Sequence, residues 1–512
     1  MSPAHQTVSP APGTTIRWHP LALVPLALTA WVYYPITRVY FFADDFYHLG
    51  RLANDDNLAF VLAPFGGHNL LVRNLAFLGS WHLFGLHSEP WYWTVLLTHL
   101  LNVWLLFGVL GAFTASVPLA CFGATLWGIC PLGAGTIAWY SVYGQAMVAT
   151  ILLLILDRLA RLGAAGKPLP PRTACLWYAL LLAGTTCFGT GIGVALVFPV
   201  VLFLLLPAAW RQPGVRLAYL ALPAVTLAAY FALRQAAEWI EPLPFSEQVH
   251  RASAASGLWD APAMLLPLLA FAVGGSALGH FLEPEHFPDA RTWLTIAVFA
   301  VGLGFVAWRG DSKARRAALA MAALAVGVYG VVAVGRANVY TTFGVPLARA
   351  AAEPRYHYVG TIPVVILLCQ ALVQIGRIGW LSAVPRGLLL AAGLGLSLAG
   401  YARSSFRIDE HRATRDYVTR TTREIVDAVA ASPPGTTVYL ENGNTDPVIG
   451  PWLDVFLPGR AGLFLFLAPV DDVLEGRHVR FVERNPRVLE FWAGRPRARL
   501  TTLLVAPRPA GG

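Results

Sequence analysis

The chain has 512 residues, 56% hydrophobic and 13% charged, with net charge +9 and mean hydropathy +0.57. An average soluble domain carries about 25% charged residues, so a water-soluble enzyme is excluded as the main body of the chain and a polytopic membrane protein is indicated. Arginines cluster in loops between apolar runs, which is the positive-inside pattern and does not argue for a nucleic-acid partner.

Residues 1–19 read as a disordered cytoplasmic N-terminus, without a small-residue cleavage site in the apolar run that follows. About eleven spans are expected, at 20–39, 91–111, 115–131, 136–156, 174–188, 191–208, 217–235, 291–308, 317–335, 358–376 and 383–401. The fifth and sixth form a tight hairpin through Gly189-Thr190-Gly191. The loops with Arg158/Arg161/Lys167/Arg172, Arg211/Arg216, Arg309/Lys313/Arg315/Arg316 and Arg377/Arg386 are assigned to the cytoplasm, and the acidic loop 40–90 to the outside. Segment 262–282, with Pro267, Gly274 and Gly275, reads as a re-entrant or partly buried hairpin, because a full crossing would put Arg309–Arg316 outside. The alternative is a true span with a weak charge bias.

Within the loop 40–90, residues 70–78 and 81–84 have near-helical apolar spacing and suit interfacial helices. From 402 the composition turns polar. A charged helix at 408–431 and strand-like runs at Thr437–Leu440, Leu463–Leu467, Val479–Val482, Val488–Phe491 and Leu500–Val505 indicate a small soluble α/β domain over 402–512, outside the membrane. That domain either recognises an acceptor or packs on the outer loops. The five cysteines lie in apolar runs without a CxxC and read as small hydrophobes.

Asp44 and Asp45 stand at the outer end of the first span, flanked by aromatics. Carboxylates so close to lipid are costly and point to function, although the same pair could simply cap a helix. Asp55/Asp56 read as a solvated turn. Attack by a hydroxyl on an activated sugar carbon needs a base, and a departing lipid phosphate needs a cation. The sequence offers both in outer loops, with Asp44/Asp45 in the first and Arg336 and Arg355 in another. The arginines could equally be snorkelling residues. His99, with Asn102 one turn on, is a substrate contact or an interhelical hydrogen bond. Tyr140, Tyr143 and Gln145 could line an outer cavity, with Gln145 on the sugar. No metal-spaced His/Asp cluster is present; His280 and His286 beside Glu283 and Glu285 read as a solvated boundary.

Three stretches together resemble the GT-C superfamily of polyprenol-phosphate-sugar-dependent glycosyltransferases, including protein O-mannosyltransferase-like bacterial enzymes. They are Ala43-Asp44-Asp45-Phe46-Tyr47-His48-Leu49, Leu83-Phe84-Gly85-Leu86-His87-Ser88-Glu89-Pro90 leading to His99 and Asn102, and Glu353-Pro354-Arg355-Tyr356-His357-Tyr358. The likeness covers most of 20–400. It departs from the family where Pro354 separates Glu353 from Arg355, where His68-Asn69-Leu70-Leu71 replaces a Tyr-Arg-Pro-Leu element, and where the 188–191 hairpin lacks a Lys-Glu.

The resemblance implies Asp44 as general base, with Asp45 orienting the acceptor or stabilising its charge. It implies Arg355 and Tyr356 at the lipid phosphate, and passes the missing arginine's role to His68 or Arg73. No cofactor is expected, although some superfamily members use a divalent metal. The implied enzyme is an inverting, multi-pass glycosyltransferase of the bacterial inner membrane. It moves a sugar from a polyprenyl-phosphate donor to a protein, glycolipid or polysaccharide hydroxyl on the outer face. The rivals are a lipid-linked saccharide transporter, disfavoured by spans nearly free of charge, and a silent scaffold of the same fold.

Overall fold

The computed structural model describes residues 19–42, 44–54, 56–240, 245–277, 287–342 and 344–377, four isolated positions, and four strands beyond 436. The first apolar helix is α1, Leu23–Tyr33, extended at both ends by 3-10 turns from Pro20 to Arg38. The outer loop holds α2 (Asp44–Asn54), α3 (Asn57–Leu62), strands β1 (Pro64–Phe65) and β2 (His68–Asn69), and α4 (Leu71–Phe84). Then follow α5 (Ser88–Thr114), α6 (Val117–Gly128), α7 (Ala134–Ile137), α8 (Gly144–Ala164), α9 (Pro171–Thr185), α10 (Gly189–Leu205) and α11 (Pro207–Trp210). The helical body continues with α12 (Pro213–Ile240), α13 (Phe245–Ala277), α14 (Ala290–Arg309), α15 (Ser312–Thr342), α16 (Leu347–Ala351) and α17 (Thr361–Ile375).

Among the described residues six helices are long and apolar enough to cross a membrane, or seven if the pair bent by 45° between Gly128 and Pro131 is one span. Eleven were expected. The difference arises because an apolar run does not measure helix length. α9, α10 and α17 have 15, 17 and 15 residues, and at 1.5 Å per residue each is shorter than a hydrocarbon core of about 30 Å. The expected span 136–156 is also broken. A 3-10 turn at Tyr140–Val142 precedes α8, which starts only at Gly144. The span 383–401 lies outside the described residues.

The hairpin between the fifth and sixth expected spans is present, with α9 ending at Thr185 and α10 starting at Gly189. The two near-helical stretches of the outer loop form one helix, α4. Segment 262–282 is corrected: its described part belongs to one continuous helix, α13, with Pro262 and Pro267 inside it, rather than to a hairpin. α13 packs along α15 and against α16, and a helix covered by its neighbours tolerates the prolines.

Two hydrogen bonds orient the bundle. Arg336 near the end of α15 donates to Gly66 O (2.9 Å), and Tyr230 of α12 donates to Gly67 O (2.8 Å). Both helices therefore end on the face that carries the outer loop. α14 joins α15 through Gly310–Asp311.

Buried apolar residues form two clusters. The larger is centred on α5, α6, α8, α10 and α17, and the smaller links α13, α15 and α16. Where backbones meet, only glycine fits, as at Gly193, which abuts Gly327 of α15. In the C-terminal region β3 (Thr437–Glu441), β4 (Leu465–Phe466), β5 (Arg487–Trp492) and β6 (Leu500–Leu504) form one sheet in the order β4-β3-β5-β6. β3 pairs parallel to β4 and β5, while β6 is antiparallel to β5. Four of the five expected strands are thus found; the run 479–482 and the helix 408–431 lie outside the described residues.

Candidate active site

The two aspartates open α2, whose first turn suits negative charge, yet their surroundings differ. Asp45 is fully buried. Its Oδ1 accepts from Ser141 N (2.7 Å) and Ser141 Oγ (2.6 Å), and its Oδ2 from Phe42 N (3.0 Å) and Tyr92 Oη (3.3 Å). Four donors from three parts of the chain fill the carboxylate's lone pairs. Asp45 thereby fastens the outer loop to α5 and to the break before α8. Asp44 is half-buried. Asp56, the described member of the second pair, caps α3 by accepting from Leu58 N (2.7 Å), in keeping with a turn role.

Arg73 on α4 is 1% exposed, and its Nε, Nη1 and Nη2 have no hydrogen-bond partner among the described residues. The guanidinium lies 5.0 Å from the ring centroid of Phe77. Burial pushes its pKa down to about 9, while Asp44 and Asp45 pull it up. It therefore remains a cation at neutral pH. Its stem packs beside Gly144, which itself lies against the backbone of Cys187 in the α9–α10 turn, so a side chain at 144 would displace both. Tyr140 and Tyr143 do not line an open cavity. Tyr140 is buried, stacked on Tyr143 (5.2 Å) and bonded to Ser80 Oγ (2.9 Å), while Tyr143 bonds to Thr98 Oγ1 (2.9 Å).

His48, four residues after Asp44, is buried among Phe60, Phe65 and Phe77, and its Nε2 has no hydrogen-bond partner among the described residues. Burial, then Arg73 and Arg51, hold its pKa well below the ordinary value, so it is neutral. Sequence reasoning passed over it as part of an aromatic run.

His68 and Arg336 form a latch. The turn Phe65-Gly66-Gly67-His68 has both glycines at positive φ (59° and 78°), as a two-residue hairpin requires. This brings His68 Nε2 within 3.2 Å of Arg336 Nη2 and its ring 4.9 Å from Phe188. An arginine only donates, so His68 Nε2 accepts and its ring proton sits on Nδ1.

Arg355 lies between aromatic faces, 5.4 Å from the rings of both Trp139 and Tyr356, and donates to Tyr340 Oη (3.2 Å). Tyr340 and Tyr356 share a hydroxyl–hydroxyl bond (2.7 Å). Trp139 in turn meets Phe42 (5.8 Å), two residues before Asp44. Gln145 Nε2 donates to Arg355 O, and its buried Oε1 has no hydrogen-bond partner among the described residues. His99 is 1% exposed and both ring nitrogens are bonded, to Tyr358 Oη (2.7 Å) and Gly128 O (2.9 Å), which leaves neither for a substrate.

The structure thus brings Asp44, Asp45 and Arg73 together, and connects Arg355 to them through Trp139 and Phe42. His68 and Arg336 lie at the hairpin, and His99 lies inside the bundle. The sequence signal for the missed Ser141 was a polar residue in an apolar run, Trp139-Tyr140-Ser141. Among the described residues no cluster of three or more His, Cys, Asp or Glu could hold a metal ion.

No family model and no curated protein matches the chain. Among solved structures it is similar to ArnT from Cupriavidus metallidurans bound to undecaprenyl phosphate, with TM-score 0.49, 14% identity and 92% of each chain covered. The apo state of the same protein gives TM-score 0.49 and 13% identity over 92% of each chain.

Proposed function

We propose that the protein is a GT-C-type membrane glycosyltransferase that transfers a sugar from a polyprenyl-phosphate donor to a hydroxyl acceptor at the outer face of the bacterial inner membrane. The observation that supports this best is the pairing of half-buried Asp44 with Arg73, a buried cation whose three guanidinium nitrogens lack hydrogen-bond partners among the described residues. A buried charge without hydrogen bonds costs several kcal/mol unless something completes it. The phosphate of a lipid-linked sugar is the complement: planar, bidentate recognition of phosphate is what a guanidinium does best.

In this reading Arg73 holds the phosphate and Arg355 is the second cation available to its oxygens. The acceptor oxygen attacks the anomeric carbon as the carbon–oxygen bond to phosphate breaks. The proton of the acceptor passes to the Asp44 carboxylate, and the phosphate leaves with the bonding electron pair. A single displacement inverts the anomeric centre. Asp45, with its acceptor sites filled, holds the loop that presents Asp44.

The test is sugar transfer by purified protein in lipid nanodiscs, from a panel of polyprenyl-phosphate sugars, comparing wild type with Asp44→Asn. Loss of transfer in a folded Asp44→Asn variant that still binds undecaprenyl phosphate is expected. Equal transfer by both proteins would remove Asp44 from the reaction.

A further inference from the structure

Arg355 sits on a short segment between α16 and α17, and two histidine–tyrosine pairs hold that segment from opposite sides. In the first, His99 of α5 donates from Nε2 to Gly128 O (2.9 Å), so its Nδ1 accepts from Tyr358 Oη (2.7 Å). Asn102, one turn along α5, donates to Tyr358 Oη (3.3 Å) and to Ala146 O (3.0 Å), and accepts from Thr150 Oγ1 (2.7 Å). In the second pair, His357 donates from Nε2 to Ala351 O (2.7 Å) and accepts at Nδ1 from Tyr329 Oη of α15 (3.1 Å). All four side chains are buried.

The pairs are mirror images around one peptide bond. Residue 357 supplies a histidine to a tyrosine on α15; residue 358 supplies a tyrosine to a histidine on α5. Tyr358 belongs to the larger apolar cluster, while Tyr329, Ala351 and Tyr356 belong to the smaller. The segment is therefore stapled between the two cores. In the neutral form of each histidine the carbonyl takes the Nε2 proton, and Nδ1 accepts from the tyrosine hydroxyl. Gln145 adds a third tether, donating to Arg355 O. Gly360 leaves room for the Tyr329 ring, which a side chain there would strike.

We propose that His99 and His357, through Tyr358 and Tyr329, are positioning residues that fix Arg355 beside Trp139 for substrate. This rests on the reading of Arg355 as a substrate contact. A guanidinium released from its backbone anchor would swing through far more than the tolerance of an aligned displacement, in which about 1 Å of misplacement can cost about 100-fold.

The experiment uses the full chain in nanodiscs and two readouts. The first is amide hydrogen exchange of residues 351–358 in wild type, His99→Leu and His99→Gln. Exchange is expected to quicken about tenfold or more in this segment in His99→Leu, with α8 and α15 unchanged, and to return towards wild type in His99→Gln, which can donate at one end and accept at the other. Quickening spread through α5 and α6, or none at 351–358, overturns the proposal.

The second readout is sugar transfer in a double-mutant cycle. His99→Leu is expected to lower kcat/KM about tenfold in wild type and less than twofold in an Arg355→Met background. Equal losses in both backgrounds mean that His99 acts on something other than Arg355, and also overturn it. If His99→Leu does not fold, Tyr358→Phe, which deletes one hydroxyl, carries both readouts. If wild type transfers from no donor while exchange behaves as expected, the glycosyltransferase reading fails and the clamp on the Arg355 segment stands.

Discussion

Asp45 and Arg73 are charged groups of opposite sign, both buried in the outer loop and close enough to influence each other. Asp45 has four donors on its two oxygens. Arg73 has no hydrogen bond on any of its three guanidinium nitrogens among the described residues. A saturated buried charge tells of architecture, since its interactions are complete before any ligand arrives. An unsaturated one tells of binding, because its desolvation is offset only when a partner is added. The adjacent Asp44 is half-buried in the same helical turn, and in the proposed reaction it works with Arg73, although it is Asp45's neighbour in sequence.

The sharpest way to break this comparison is at Asp44. Asp44→Asn should lower transfer by about 100-fold or more while leaving the thermal midpoint and lipid-phosphate binding near wild type; a steady-state assay beside a melting curve decides it. Arg73→Met separates binding from stability. It should weaken undecaprenyl phosphate binding by about 10- to 100-fold, yet raise the melting temperature of the lipid-free protein, because it removes an uncompensated buried charge. A lower melting temperature would show that Arg73 is already satisfied without ligand.

Asp45→Asn should do the reverse. Its amide nitrogen would face donors in place of an acceptor, at a stability cost of about 2 kcal/mol or more, seen as a lower melting temperature, with the remaining folded molecules still binding lipid phosphate. A folded, fully stable Asp45→Asn protein would remove the architectural role.

The smallest effect concerns pH. Burial holds His357 at about 4, below its ordinary 6.5, only partly opposed by its bond to Ala351 O. The unfolded chain therefore binds the extra proton first. The stability contributed by neutral His357 is complete above about 6.5 and is lost as pH falls towards 4. Melting temperatures between pH 7 and 4 should fall less steeply in His357→Gln than in wild type.

Much of this was legible in the chain. Apolar run length and arginine placement gave a helical membrane body. The same bookkeeping led to a hairpin at 262–282, where the described part is instead one continuous helix, α13. Fewer long apolar helices are found among the described residues than the spans expected, because hydropathy does not register where a helix is capped or broken, as at Tyr140–Val142. The acidic pair stood out because carboxylates beside lipid are rare. Which aspartate is saturated was not legible, because Ser141 and Tyr92 reach Asp45 across 96 and 47 residues. The same holds for His99, whose partner Tyr358 is 259 residues away.

Local chemistry therefore determined a helical, largely apolar body and the residue types available for reaction. Only the tertiary structure decided which of those residues are already satisfied and which are left to meet a substrate. A hydrogen bond is a contact in space, and neither composition nor spacing records which distant donor will fill a given lone pair.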